Sequence, residues 1–156
     1  MTAFYYLVRM ILYKNIKQFF TKVSLACISL ISGCDKKTNE EWVPYVPVNI
    51  VLNTSDPLFV KLNAPGGWAY INGGSRGLVV IRANQNDFKA FDRHCPYNPK
   101  SDCGKINVDI SQVLAADSCC GSQFVLLDGS ISKGPATRPL REYQTIYDGN
   151  RLSISN

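Results

Sequence analysis

The sequence predicts an all-β domain, an antiparallel sandwich or barrel, and two observations carry that expectation. From residue 48 onward the apolar residues come in short runs, rich in β-branched and aromatic types, each closed by Pro, Gly, Asn or Asp. No window of a dozen residues repeats with a helical period.

The elements follow in order. Val48–Leu52 is β-branched and stops at Asn53-Thr54-Ser55-Asp56-Pro57. Leu58–Leu62 alternates, which predicts a second strand, and stops at Asn63-Ala64-Pro65-Gly66-Gly67. Trp68–Ile71 ends at Asn72-Gly73-Gly74, and Leu78–Ile81 ends before Asn84-Gln85-Asn86-Asp87. Phe88–Phe91 leads into a cysteine-rich loop. The one stretch that could pass for a helical turn is Val113-Leu114-Ala115-Ala116. The last hairpin is the cleanest: Thr145-Ile146-Tyr147, a tight turn at Asp148-Gly149, then Asn150–Ile154.

Composition bounds the rest. The 156 residues suffice for one domain of ordinary size, and a hydrophobic fraction of 46% excludes wholesale disorder. Eleven Gly and eight Pro show no period, which excludes a collagen-like chain. The formal charge of +5 would suggest a polyanionic partner if it belonged to the folded part. It does not. Arg9, Lys14, Lys17 and Lys22 stand in the first 33 residues without an acidic residue, which leaves thirteen basic and twelve acidic residues after them. A nucleic-acid partner is therefore not expected.

The basic N-terminus reads as a targeting segment. Lys14, Lys17 and Lys22 precede the apolar run Val23–Ile31, which is too short to span a bilayer. It ends in Leu30-Ile31-Ser32-Gly33-Cys34, which resembles a bacterial lipobox. That resemblance implies that residues 1–33 are a signal peptide and that Cys34 is lipidated as the mature N-terminus. The leader is long, and Met10 would give a more typical start than Met1. Asp35–Glu41 is a solvated stretch, so residues 34–45 are expected to tether the lipid to a β domain over 46–156. The expected location is the bacterial envelope, on the periplasmic face or cell surface, with an envelope protein as a further partner.

Export sorts the six cysteines. Cys27 leaves with the signal and Cys34 takes lipid, so Cys95, Cys103, Cys119 and Cys120 remain in an oxidising compartment, an even number. Two disulfides are expected first, one disulfide with two thiols second, and a bound metal third. In extended chain the side chains of Cys119 and Cys120 point to opposite sides and take different partners. Cys95–Cys119 with Cys103–Cys120 is one option; Cys95–Cys120 with Cys103–Cys119 is the other.

Four stretches now belong together: Asp92-Arg93-His94, Asp117-Ser118-Cys119-Cys120-Gly121-Ser122-Gln123-Phe124, Leu127-Asp128-Gly129, and Lys133-Gly134-Pro135-Ala136-Thr137-Arg138-Pro139-Leu140. Over roughly residues 77–156 they resemble a Rieske iron–sulfur domain. The resemblance implies a Rieske-like antiparallel β-sandwich with two cysteine-bearing loops. It implies a Gly134-Pro135-Ala136 loop covering the site. In that family a Cys-x-His loop and a Cys-x-x-His loop hold a [2Fe–2S] cluster with two thiolates and two imidazoles. Laid on those patterns, Asp92 and Asp117 stand in place of the cysteines, His94 keeps its place, and Cys120 replaces the second histidine. Cys119 matches a non-ligand cysteine that in some members forms a disulfide between the loops. Cys95 is its nearest candidate partner, shifted from the family's position, where Tyr97 stands.

Cluster iron prefers thiolate to carboxylate oxygen, and His94 is the only histidine, so no standard cluster is expected. The N-terminus also lacks the arginine pair that a folded, cluster-loaded passenger needs for export. His94 is expected to bond a neighbouring carboxylate, with Asp92 and Asp117 flanking it or satisfying loop amides. One of Arg93, Arg138 and Arg141 is a candidate partner for those aspartates. Ser122 reads as turn chemistry, not as a nucleophile. No catalytic residue is assigned. The expected function is that of a non-catalytic binding or assembly component of the envelope without a cofactor. The alternatives are an electron-transfer protein carrying an atypical [2Fe–2S] cluster, and a zinc site built from the same residues.

Overall fold

The computed structural model of the protein describes residues 43–156. The signal segment, Cys27, the lipobox with Cys34, and most of the tether lie outside the described residues. Ten strands are present among those described, and all their pairings are antiparallel. They are β1 (Asn49–Asn53), β2 (Trp68–Ile71), β3 (Leu78–Arg82), β4 (Phe88–Asp92), β5 (Ile106–Val108), β6 (Leu114–Asp117), β7 (Gln123–Val125), β8 (Ile131–Lys133), β9 (Glu142–Tyr147) and β10 (Arg151–Ser155). A six-stranded sheet runs β1-β10-β9-β4-β3-β2 and a four-stranded sheet runs β5-β6-β7-β8. No helix among the described residues is long and apolar enough to cross a membrane.

The central strand β3 shows why the molecule has two cores. All five of its residues are buried. Side chains alternate across a strand, so Leu78 and Val80 enter one cluster while Val79 and Ile81 enter another. The first cluster adds Phe88, Ala90, Tyr143, Leu152 and Ile154, joining strands from both halves of the curled six-stranded sheet. The second adds Phe91, Ile106, Ala115, Phe124, Leu126 and Leu140, and so joins the two sheets. The four-stranded sheet is thereby docked with its loops beside the end of β4. The last residue is tied to the segment before β1: the Asn156 side chain accepts from Val48 N and donates to the Val46 carbonyl.

Three expectations are corrected. Leu58–Leu62 is not a strand but part of a 3₁₀ helix, Pro57–Asn63. The Asp56 side chain accepts from Leu58 N at 2.9 Å, and Pro57 is pre-set for the first helical position. The dipeptide that stops β1 therefore also starts a helix, and Leu62 alone of the alternating residues is buried. Val113–Ala116 is not a helical turn; Leu114–Asp117 is a strand between β5 and β7. Pairing on both edges overrides the local preference of alanine. The last hairpin turns at Gly149-Asn150, one residue later than expected, because Asp148 pairs with Arg151 through a 3.1 Å bond. Gly149 takes φ +101° there, which costs glycine nothing. The short strands β5, β7 and β8 and the beginning of β9 carry too few residues each to show a period.

Candidate functional site

Three loops meet at one end of the four-stranded sheet. The first follows β4 and carries His94, Cys95 and Cys103; the second joins β6 to β7 and carries Cys119, Cys120 and Ser122; the third follows β8 and carries Gly134, Pro135 and Ala136. A disulfide between Cys103 and Cys119 ties the first loop to the second, with Cα atoms 5.7 Å apart. Of the two pairings left open, Cys95–Cys119 with Cys103–Cys120 is not the one found, and the expectation of two disulfides is corrected to one disulfide with two thiols. Cys95 and Cys120 are free thiols, and their sulfurs lie 3.7 Å apart. The arrangement follows the crossed option for one bridge and leaves the other two cysteines as a close dithiol. Cys119 and Cys120 do take different partners, although they stand in the turn after β6 and not in extended chain.

The positions that match the family's first ligand pair are internally consumed. Asp92 ends β4 with no exposed surface. Its Oδ2 accepts from Ser75 N at 2.7 Å and from the Tyr143 hydroxyl at 2.8 Å. Its Oδ1 accepts from His94 N at 2.8 Å and Arg76 N at 3.2 Å. Four donors occupy the four acceptor sites of a carboxylate. His94 is equally engaged, but not by a carboxylate as expected. Its Nε2 lies 2.8 Å from the Pro99 carbonyl, which can only accept, so Nε2 carries the hydrogen. Nδ1 is then the acceptor for the Ser75 hydroxyl, also at 2.8 Å. Burial, above all, moves the His94 pKa down, partly opposed by the Pro99 bond, and keeps the ring neutral.

The second pair of positions is different. Asp117 is buried at the end of β6, and its Oδ1 accepts from Cys119 N at 2.7 Å. Its Oδ2 receives the Cys120 thiol at 3.2 Å. Cys95, Asp117 and Cys120 bring one donor atom each to within 4.8 Å of one another, and among the described residues no other such group occurs. Burial and the neighbouring Asp117 carboxylate push the Cys95 thiol well above the ordinary thiol range. Ser122, fully buried, does more than shape a turn. Its Oγ accepts from Ala136 N at 2.9 Å and lies 3.1 Å from Cys120 Sγ, fixing the third loop against the second. A cleft of about 350 Å³ opens over Asp117 and Cys120, with Tyr97, Ser101 and Pro135 on its walls. Pro135 follows a cis peptide from Gly134.

The donor set does not fit a standard [2Fe–2S] cluster. The four matching positions offer two carboxylates, one imidazole with both nitrogens bonded inside the protein, and one thiol. Sequence reasoning missed Ser75, which reaches both Asp92 and His94, and Tyr143. Neither lies near the motifs in the chain, and no local pattern marks them. Arg93 goes elsewhere: its guanidinium lies 3.6 Å from the Tyr70 ring centre and donates to the Ile106 carbonyl.

No protein-family model matches the sequence, and no curated protein does. Solved structures do match. The plasma membrane Rieske protein PetC3 from the cyanobacterium Synechocystis PCC 6803 aligns with a TM-score of 0.53 and 24% identity, over 69% of this chain and 99% of that chain. The ferredoxin of carbazole 1,9a-dioxygenase from Nocardioides aromaticivorans IC177 gives a TM-score of 0.45 and 16% identity, over 71% of this chain and 98% of that chain.

Proposed function

We propose that this chain, which has a Rieske-like fold, is an envelope lipoprotein whose domain acts as a non-catalytic binding or assembly component without the standard cluster. In this reading residues 1–33 are removed, Cys34 carries lipid, residues 34–45 form the tether, and the membrane is reached through the anchor. The mature chain is close to neutral, so lipid and not basic attraction holds it there. The observation that carries the loss of the cluster is the state of Asp92 and His94. Using them for iron would take two donors from an oxygen of a buried carboxylate and break one of the two ring bonds of His94.

An atypical cluster on the remaining donors is less well supported. Two irons require four protein ligands, and the dithiol with Asp117 supplies three. The test is to express the full chain in a lipoprotein-processing bacterium, isolate the membrane fraction, and record mass, visible spectrum, iron and acid-labile sulfide. The expected product begins at an acylated Cys34 and is colourless, and Cys34→Ala yields no acylated, shortened chain. Stoichiometric iron and sulfide with charge-transfer bands would overturn the cluster-free reading. A membrane-fraction chain whose N-terminus is not an acylated Cys34 would overturn the anchor.

A further inference from the structure

The dithiol and its carboxylate have the shape of a different metal site. A zinc-class ion bound tetrahedrally has metal–sulfur distances of about 2.3 Å and metal–oxygen distances of about 2.0–2.2 Å. Tetrahedral angles then place two thiolate sulfurs about 3.8 Å apart, and a sulfur and a carboxylate oxygen about 3.5 Å apart. Cys95 Sγ and Cys120 Sγ are separated by 3.7 Å, and Cys120 Sγ and Asp117 Oδ2 by 3.2 Å. Two edges of the coordination figure are therefore preformed within a few tenths of an ångström.

The surroundings are those of a built site. Asp117 Oδ1 is held by Cys119 N, which leaves Oδ2 turned toward the sulfurs. The Ser122 hydroxyl sits 3.1 Å from Cys120 Sγ and already accepts from Ala136 N, so its own hydrogen is available to a Cys120 thiolate. The Cys103–Cys119 bridge fixes the second loop without using either free sulfur. The cleft over Asp117 and Cys120 gives an entry path and room for a fourth ligand.

We propose that Cys95, Cys120 and Asp117 bind one zinc-class divalent cation, with the fourth coordination position open to the cleft. The inference rests on the cluster-free reading, since a cluster would claim the same sulfurs. Binding replaces the two thiol hydrogens: the cation enters, two protons leave to solvent, and no electron moves. Two thiolates select a thiophilic ion over magnesium or calcium.

The test is to purify the mature chain without air, count its free thiols, and titrate it with Co²⁺ followed by Zn²⁺. The expected result is two free thiols and one equivalent of Co²⁺, with sulfur-to-cobalt charge-transfer and strong four-coordinate bands that Zn²⁺ abolishes. Cys120→Ser removes the charge-transfer band, Asp117→Asn weakens binding at least about tenfold, and the Cys103→Ser/Cys119→Ser double variant keeps the bands. Circular dichroism on each variant confirms that it is folded; should Cys120→Ser not fold, Cys120→Ala and Cys95→Ala serve the same purpose. The proposal is overturned by two free thiols without cobalt uptake, by bands indifferent to Cys95 and Cys120, or by a Cys95–Cys120 disulfide in the anaerobic chain. Those results leave the cluster-free reading standing, whereas stoichiometric iron and sulfide would overturn both.

Discussion

The Tyr143 hydroxyl donates to Asp92 Oδ2 at 2.8 Å, joining β9 to the end of β4 across 51 residues of sequence. Both residues are buried, Asp92 completely. Where the family's first cysteine would face a cluster, this chain points a carboxylate inward and closes it with a phenol and three backbone amides. The consequence is structural, and it can be measured.

Tyr143→Phe should destabilise the domain by about 1.5–3 kcal/mol, the range for a hydrogen bond to a charged group. The ring still fills its place in the core, so the change isolates the bond. Urea unfolding monitored by tryptophan fluorescence should show a lower midpoint with an unchanged slope. A midpoint equal to wild type would mean that Asp92 does not need the phenol.

The same bond sets a limit at high pH. Burial first, and the Asp92 bond next, raise the Tyr143 pKa above its ordinary value of 10.0. Below that value the phenol is protonated in both folded and unfolded chains. As pH rises past it, the unfolded chain gives up the proton and the folded chain keeps it, so stability falls. Unfolding midpoints measured at about pH 9 and about pH 11 should therefore diverge more in the wild type than in Tyr143→Phe.

Gly74 is fixed by this carboxylate. It sits at φ +60°, and a Cβ there would lie 2.5 Å from Asp92 Oδ2 and 2.8 Å from the Tyr143 oxygen. Gly74→Ala should cost more than about 2 kcal/mol, combining backbone strain with displacement of a buried bond. Gly121→Ala provides the contrast: its φ is +77° with nothing within 4 Å of the added carbon, so only the strain remains. Equal losses in the two variants would contradict the crowding at Asp92.

The Cys103–Cys119 bridge closes a loop with a sequence separation of 16. In the chain-entropy picture, removing it as Cys103→Ser/Cys119→Ser should cost about 3 kcal/mol. Thermal unfolding of the oxidised wild type against the double variant reads the difference.

Ser122→Ala should cost about 1–3 kcal/mol, because it leaves the buried amide of Ala136 without an acceptor. Hydrogen exchange offers a local readout: the Ala136 amide should lose protection while β3 and β4 keep theirs.

Much of the fold was legible because its signals are local. The runs at β1, β2, β3 and β4 and the final hairpin could be read from alternation and turn residues, whose period belongs to the backbone of each strand. The Gly121–Leu140 motifs pointed to the Rieske-like frame that the Synechocystis likeness bears out. Leu58–Leu62 misled because alternation does not distinguish a strand from a 3₁₀ turn begun by Asp-Pro. Leu114–Asp117 misled because its strand state comes from neighbours on both sides.

The sequence by itself determined which residues stand at the ligand positions, that only one is a histidine, and that four cysteines lie after Cys34. It left the pairing of those cysteines open. Only the tertiary structure decided that Cys103 meets Cys119, that Cys95 faces Cys120, and that Ser75 and Tyr143 complete Asp92. The reason is range. A side chain's type and its alternation are properties of a few neighbouring residues, whereas these contacts span 16 to 51 residues and exist only once distant strands and loops have come together.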